Sequence, residues 1–147
     1  MTKQLAGAEL ARRINEEVPG AAIRWNDTDV WVEQRNLLEV ARLLKESPGL
    51  ELSFLTAVSA VDYVEYFELV YHLLSMRRNQ SGVLKTRCFG RDGPTAASVT
   101  SLWKGADFQE REIWDLFGIR FEGHPNMKRI LLWEDFPGHP LRKDYIG

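Results

Sequence analysis

Two β-prone runs, residues 66–76 and residues 83–89, constrain the fold of this 147-residue chain more than any other feature. Both are rich in the aromatic, β-branched and other large apolar side chains that strands favour. Residues 79–82, Asn-Gln-Ser-Gly, have the length and composition of a four-residue hairpin loop. The pattern therefore predicts that the two runs pair as neighbouring antiparallel strands.

One side of this predicted hairpin carries charge. Side chains alternate between the two faces of a strand, so Lys85 and Arg87 share a face with Val83 and Phe89. A face that is half apolar and half basic indicates solvent or a polar contact surface on that side of the sheet.

Two amphipathic helices are predicted before the hairpin. In residues 6–18 apolar side chains recur at every fourth position, and Pro19 and Gly20 end the pattern. The second helix follows Asn36, which together with Glu39 resembles a capping box, and Ser-Pro-Gly at residues 47–49 ends it. Each helix has one apolar face to bury.

Further strands are predicted on both sides of the second helix. Residues 21–25 and 30–33 are interpreted as a hairpin, and strand-like alternation resumes at Leu50. The order α-β-β-α-β-β-β-α predicts an α+β fold, in which an antiparallel or mixed sheet has helices packed on one face and an irregular, extended C-terminal arm follows. The sequence lacks the glycine-rich loops of Rossmann and P-loop nucleotide-binding proteins.

The length suits one domain, which we place at residues 1–135 and follow with an arm at 136–147. A net charge of −2 gives no electrostatic reason to bind nucleic acid or an anionic membrane. No apolar run reaches the roughly 18 residues of a membrane-spanning helix, so we expect membrane association only through a partner. The one cysteine, Cys88, fits a buried thiol in a cytoplasmic protein.

The last quarter of the chain begins with a predicted helix at residues 107–117, ended by Gly118 in the left-handed conformation. Arg111 and Asp115 are four residues apart and can pair on a helix. Glu110, Glu112 and Asp115 would serve as acid/base groups if burial raised their pKa values. Ion pairing with neighbouring arginines and lysines is the interpretation we favour, because nothing nearby supplies a nucleophile or an oxyanion site.

Gly-His-Pro occurs twice, at residues 123–125 and 138–140. His124 and His139, with Asp135 or Asp144, would make a three-ligand metal site with an open position. Each histidine precedes a proline, which favours extended backbone over the helical spacing that presets ligand geometry. Hydrogen-bonding or interface roles are therefore the preferred interpretation.

Residues 137–145 form a charged, aromatic and proline-stiffened segment that cannot make regular structure. Such a segment suits an interface arm, because it loses little conformational entropy on docking. Folding back on its own sheet is an equal alternative. If the arm serves an interface, Arg142→Ala should impair assembly more than the stability of the isolated domain.

The C-terminal third resembles the thirty-kilodalton subunit of respiratory complex I, the NADH:quinone oxidoreductase, known in bacteria as the C-type subunit. The resemblance rests on residues 110–112, 115–119, 121, 123–125, 129–131 and 138–145, with Trp103 before them. It implies a structural subunit of the hydrophilic arm without catalytic, cofactor-binding or metal residues of its own. The interface and structural positions implied are Glu110, Arg111, Trp114, Asp115, Phe117, Gly118, His124, Pro125, His139, Pro140, Leu141, Arg142, Lys143, Asp144 and Tyr145.

The resemblance also implies partners and a location. The partners are the large forty-nine-kilodalton subunit and cluster-bearing subunits, in a complex that uses FMN, iron–sulfur clusters, NADH and quinone at the cytoplasmic side of the membrane. The homologous subunit of a membrane-bound [NiFe] hydrogenase shares much of the signature and stays an alternative. A small metal-dependent hydrolase using His124, His139 and Asp135, or a stand-alone interaction domain, are alternatives from other classes.

Overall fold

The computed structural model describes residues 1–146, which form eight strands and three α-helices. In chain order these are β1 (Lys3–Gln4), α1 (Gly7–Glu17), β2 (Ala22–Trp25), β3 (Asp29–Val32), α2 (Leu37–Glu46), β4 (Phe54–Asp62), β5 (Tyr66–Ser75), β6 (Gln80–Phe89), β7 (Thr95–Ala97), α3 (Ala106–Phe117) and β8 (Arg120–Glu122). The predicted arm lies within the described residues except for Gly147.

The main sheet has the strand order β2-β3-β6-β5-β4. β4, β5 and β6 form an antiparallel meander in which Tyr66 lies opposite Phe89 and Ser75 opposite Gln80. The other edge of β6 pairs in parallel with β3, and with the two-residue β1 beyond it. Both predicted hairpins are therefore confirmed, and the sheet is mixed.

The helices cover one face of this sheet. Alternate side chains of β5, including Phe67, Leu69 and Tyr71, point into the same buried cluster as Leu10 of α1 and Leu44 of α2. The apolar side chains on this face of the strand pack against the apolar faces of the helices. One interface therefore buries the apolar side chains of both. The predicted α+β fold with helices on one face is confirmed.

The opposite face carries the mixed surface that the sequence predicts. Val83, Lys85 and Arg87 are partly exposed there, and Phe89 is exposed. His72 of β5 is also exposed on this face. No helix of residues 1–146 lies across this part of the sheet.

Three local predictions are wrong. The capping box is absent, because a 3-10 turn at Gln34–Asn36 precedes α2 and Asn36 makes no capping hydrogen bond through its side chain. The strand expected from Leu50 begins only at Phe54, since Glu51 adopts a left-handed φ of 48°. The β5–β6 turn precedes Gln80, with Asn79 left-handed at φ 51°, a conformation that asparagine tolerates.

The sequence pattern did not indicate β1 or β7; after Gly118 it indicated extended backbone at residues 119–121, and the structure forms β8 there. β7 and β8 form a small parallel sheet that pairs Thr95 with Arg120 and Ala97 with Glu122. This sheet positions the chain that leaves α3. Among residues 1–146, no helix has the length and apolarity needed to span a membrane.

Candidate functional site

Helix α3 and the irregular segment 123–146 form one structural unit. The backbone N–H of Leu141 donates to the carbonyl of Leu116 (2.9 Å), and Nδ1 of His139 lies 2.9 Å from the carbonyl oxygen of Asp115. The His139 ring also packs on Trp114, with ring centroids 4.9 Å apart. The predicted positions in α3 and in residues 138–145 are therefore brought together.

Gly118 makes this close approach possible. Its φ of 77° is left-handed, as predicted for the residue that ends the helix. A Cβ atom at this position would lie 2.7 Å from Cδ2 of His139. Both the backbone conformation and the histidine ring therefore require glycine.

Asp115 holds the returning chain through four donors. Its buried carboxylate accepts hydrogen bonds from Nη1 of Arg129 (2.8 Å) and from the backbone N–H groups of Ile130 (3.2 Å), Leu131 (2.8 Å) and Leu132 (2.9 Å). Burial alone would raise the pKa of Asp115, but these backbone donors and Arg129 outweigh it and lower the pKa below its usual range.

The favoured ion-pair interpretation is confirmed for Asp115, but its partner is Arg129 (2.8 Å), and the possible pair with Arg111 does not form. Arg111 turns away from Asp115 and donates to the carbonyls of Lys128 (3.1 Å) and Arg129 (3.2 Å). The loop after β8 wraps over the helix, and its buried backbone groups need these partners. A pair on the helix surface would leave both the carbonyls and the N–H groups unsatisfied.

Glu110 is a fully buried carboxyl group that makes no ion pair with a lysine or arginine among residues 1–146. It accepts hydrogen bonds from the hydroxyl of Ser98 (2.7 Å) and the backbone N–H of Val99 (2.8 Å). Burial raises its pKa despite these donors. The ion-pair interpretation is wrong for this residue, and its function here is to attach α3 to the segment that follows β7.

His124 uses both ring nitrogens within the fold. Nδ1 accepts a hydrogen bond from the backbone N–H of Asn126 (2.9 Å), so the proton of the neutral ring resides on Nε2. Nε2 faces the carbonyl (3.1 Å) and the carboxylate (3.0 Å) of Asp107. In residues 1–146 no group of three or more His, Cys, Asp or Glu side chains is placed to hold a metal ion.

A second network attaches the end of the chain to the sheet. Arg91 binds Asp62 with two hydrogen bonds (2.6 and 2.9 Å) and contacts Asp144 at 3.1 Å. The second carboxylate oxygen of Asp62 also accepts from the backbone N–H of Lys143 (2.8 Å), and Arg142 donates to Asp144 (2.8 Å). The hydrogen bonds from Arg91 lower the pKa of Asp62 well below its usual range.

Asp62 and Arg91 were not among the predicted positions. In the sequence each has the pattern of a solvated charge beside a turn. The signal that could have found them is the register of the meander, which pairs Asp62 with Phe67 and Phe67 with Cys88. This register brings the end of β4 close to the residues after β6.

The remaining predicted positions differ in exposure. Trp114, Phe117, Pro140 and Tyr145 are partly buried, whereas Pro125, Leu141 and Lys143 are exposed. Exposed apolar side chains in the C-terminal segment are Leu131, Trp133, Leu141 and Ile146. They lie on a backbone that the Asp115 and Asp62 networks hold in place. Such a surface suits protein contact better than catalysis.

Comparison with known proteins gives a consistent result. The model of the family described as "Respiratory-chain NADH dehydrogenase, 30 Kd subunit" matches residues 30–147. The C-type subunit of the NADH-quinone oxidoreductase of Roseiflexus sp. (strain RS-1) is 40% identical over 147 residues, covering 95% of this chain and 84% of that protein. The C/D-type subunit of the Phocaeicola vulgatus enzyme is 43% identical over 104 residues, covering 70% of this chain and 20% of that protein.

A solved structure is also similar. A chain of the membrane-bound sulfane sulfur reductase, an archaeal respiratory membrane complex, superposes with a TM-score of 0.77 and 27% identity. The match covers 95% of the present chain and 85% of that chain.

Proposed function

The chain belongs to the family of thirty-kilodalton subunits of the respiratory-chain NADH dehydrogenase, and on that premise we propose that it is a non-catalytic structural subunit of the hydrophilic arm of a proton-translocating NADH:quinone oxidoreductase. It packs on the large forty-nine-kilodalton subunit that forms the quinone site and adjoins cluster-bearing subunits. It binds no cofactor itself, whereas the assembled complex uses FMN, iron–sulfur clusters, NADH and quinone. The complex holds it peripherally at the cytoplasmic side of the membrane.

The fused relative carries this proposal. In the Phocaeicola vulgatus protein, named as a C/D type, the matching region makes up 20% of one much longer polypeptide. Fusion keeps two regions at high effective concentration, which benefits parts that act in the same assembly. The D-type subunit, which is the forty-nine-kilodalton one, is therefore the partner proposed for the separate chain.

The exposed apolar side chains of residues 131–146 are the surface proposed for this contact. Leu131, Trp133 and Leu141 are exposed, while the backbone between them is fixed by hydrogen bonds from and to the folded domain. A surface that is already ordered loses little conformational entropy on binding. Tryptophan is also a residue type that commonly anchors interfaces.

The test is co-purification in mild detergent with a tagged chain. The unaltered chain should retain the forty-nine-kilodalton subunit, and Trp133→Ala combined with Leu141→Ala should retain much less. Met76→Ala is the control, because Met76 is an exposed apolar residue at the distant β5–β6 turn. Failure of the unaltered chain to retain any large redox subunit would contradict the proposed function. Full retention by the double variant would contradict only the proposed surface.

A related membrane complex is the second candidate. The similarity to a chain of the sulfane sulfur reductase complex shows that the fold also occurs in a respiratory complex of another kind. A subunit of a membrane-bound [NiFe] hydrogenase is an alternative of the same kind. The subunits that co-purify distinguish these assemblies, since a nickel-containing partner would indicate the hydrogenase.

A further inference from the structure

A groove of about 540 Å³ lies on the helix-free side of the main sheet, at the end formed by β2, β3 and β6. Trp31 forms its floor and is almost completely buried, whereas Ile23 and Phe89 at its sides are exposed. Large apolar side chains exposed around a concave site are typical of a surface that another molecule covers.

An aromatic strip extends the groove along the sheet. The rings of Phe89 and Tyr66 lie 5.7 Å apart, and those of Tyr66 and Tyr63 lie 5.3 Å apart. Tyr63 and the neighbouring Val64 are exposed, and Val64 has a left-handed φ of 72°, which is unusual for a β-branched residue. The elongated shape suits a stretch of polypeptide better than a compact small molecule.

The groove is positively charged. Arg24, Arg35 and Arg87 line it together with Glu33, and the buried Glu68 lies beside Arg87. Glu33 pairs with Arg35 at 2.9 Å, while the guanidinium of Arg24 lies 4.9 Å from the centre of the Trp31 ring. Charge complementarity therefore favours a carboxylate on the molecule that binds.

Arg87 supplies the most direct indication of a missing acceptor. Its Nε is buried and makes no hydrogen bond, although it lies within ion-pair distance of a Glu68 oxygen at 3.6 Å. That oxygen already accepts a short hydrogen bond from Nε1 of Trp31 (2.6 Å). A buried guanidinium donor without an acceptor is costly. The side chain as a whole is 28% exposed, so a small rotation would bring this donor to a carboxylate bound in the groove.

We propose that the groove and strip bind a segment of another subunit in which a carboxylate side chain adjoins large apolar side chains. The carboxylate meets Arg87 and Arg24, and the apolar side chains pack on the exposed Ile23 and Phe89. This contact is additional to the one proposed for residues 131–146. It rests on the proposed function only in requiring that the chain works within a complex.

Photo-crosslinking in the intact purified complex tests the proposal. With Phe89→p-benzoylphenylalanine, illumination should attach a peptide of another subunit, and mass spectrometry should place the adduct beside an Asp or Glu flanked by apolar residues. Adding Arg24→Glu should lower the yield about tenfold. Arg42→Glu, an exposed arginine on α2 on the other side of the sheet, should leave the yield unchanged.

The second variant is Arg87→Gln, which avoids placing another carboxylate beside the buried Glu68. It should lower the yield while the circular dichroism of the isolated chain stays native. The proposal is overturned by adducts with lipid alone, with a second copy of this chain, or with a segment lacking Asp and Glu. It is equally overturned by no adduct, or by a yield that neither arginine variant changes.

The two contacts can fail separately. Leu141→p-benzoylphenylalanine reports on the surface of residues 131–146, and Phe89→p-benzoylphenylalanine reports on the groove. An adduct with the forty-nine-kilodalton subunit from position 141 and none from position 89 would support the proposed function and overturn this inference.

Discussion

Gly118 ends α3 at the point where His139 of the returning chain packs against it. Gly118→Ala should be destabilising for two separate reasons. Alanine is strained at the left-handed φ, and its Cβ would clash with the nearby His139 ring. We expect a loss of about 2 kcal/mol or more in the free energy of unfolding, of which about 1–2 kcal/mol is backbone strain. Urea denaturation of the isolated chain measures this loss.

Gly20→Ala is a matched control for this prediction. Gly20 has a φ of 79°, but nothing lies within 4 Å of the position that a Cβ would occupy. The loss of stability in Gly20→Ala should therefore come from backbone strain alone. Equal losses for the two variants would mean that the His139 contact has no energetic weight.

Asp115 should be far more important to stability than an ordinary helix carboxylate. In Asp115→Asn an amide NH₂ would face donors that now meet a carboxylate oxygen, so we expect a loss of about 3–5 kcal/mol at neutral pH. Asp135→Asn, at an exposed position of the same segment, is the control and should change stability little.

The Asp115 contribution has a defined pH dependence. Because its folded pKa is lowered, the stabilisation is present above the unfolded value of about 3.9 and is lost as the pH falls through the folded pKa. The difference in free energy of unfolding between the parent and Asp115→Asn should therefore become smaller at acidic pH. A difference that stays constant from pH 7 to pH 3 would contradict this assignment.

Glu110 should act in the opposite direction. Its pKa in the folded state is raised. The free energy of unfolding therefore falls as the pH rises from the unfolded pKa of about 4.3 through the folded pKa. Glu110→Gln removes this titration, while an amide can still bond to the Ser98 hydroxyl and the Val99 N–H. As the pH rises from 4 to 8, the urea midpoint of the variant should increase relative to that of the parent. Parallel pH profiles would exclude a raised pKa.

Among the elements of the fold, the C-terminal segment is more firmly attached than its charge and prolines suggest. The side chain of Arg142 is largely buried and donates to carbonyls of Phe117 and Arg91 as well as to Asp144. The expectation that Arg142→Ala impairs assembly more than stability stays a prediction, and these contacts add an effect on stability. We predict that Arg142→Ala also lowers the stability of the isolated chain, by about 1–2 kcal/mol.

The neighbouring Lys143 is the control for the arginine. Its side chain is exposed, and the bond to Asp62 comes from its backbone N–H, so Lys143→Ala should leave that bond intact. Thermal unfolding of the two variants compares the effects directly. An unchanged melting temperature for Arg142→Ala would contradict the predicted loss of stability.

For the molecule as a whole, the division into a domain at 1–135 and an arm at 136–147 remains a proposal. Every strand and helix of the described residues ends by Glu122, so a chain cut after residue 135 should keep its far-ultraviolet circular dichroism. Loss of the Arg142 and Lys143 bonds should cost about 2–3 kcal/mol, or roughly 5–10 °C in melting temperature. A truncated chain that does not unfold cooperatively would place the arm within the domain.

The sequence predicted what depends on neighbours along the chain. The meander of β5 and β6 and the period of α1 follow from local alternation and a short turn. The pairing of β3 with β6 did not, because Asp29 and Val83 are far apart in sequence and no local pattern records their register. For the same reason the partners of Asp62 and Glu110 were not predicted. The donors that bind each carboxylate are distant in sequence, and only the folded structure brings them together.

The position of β6 at the centre of the sheet also bears on how the chain is made. β1 and β3, which both precede α2, have their parallel partner in residues 80–86. During synthesis at about 5–20 residues per second, these early strands leave the ribosome several seconds before β6 is available. We expect the nascent N-terminal third to stay open to chaperones during that interval, and the sheet to close only when the third strand of the meander emerges.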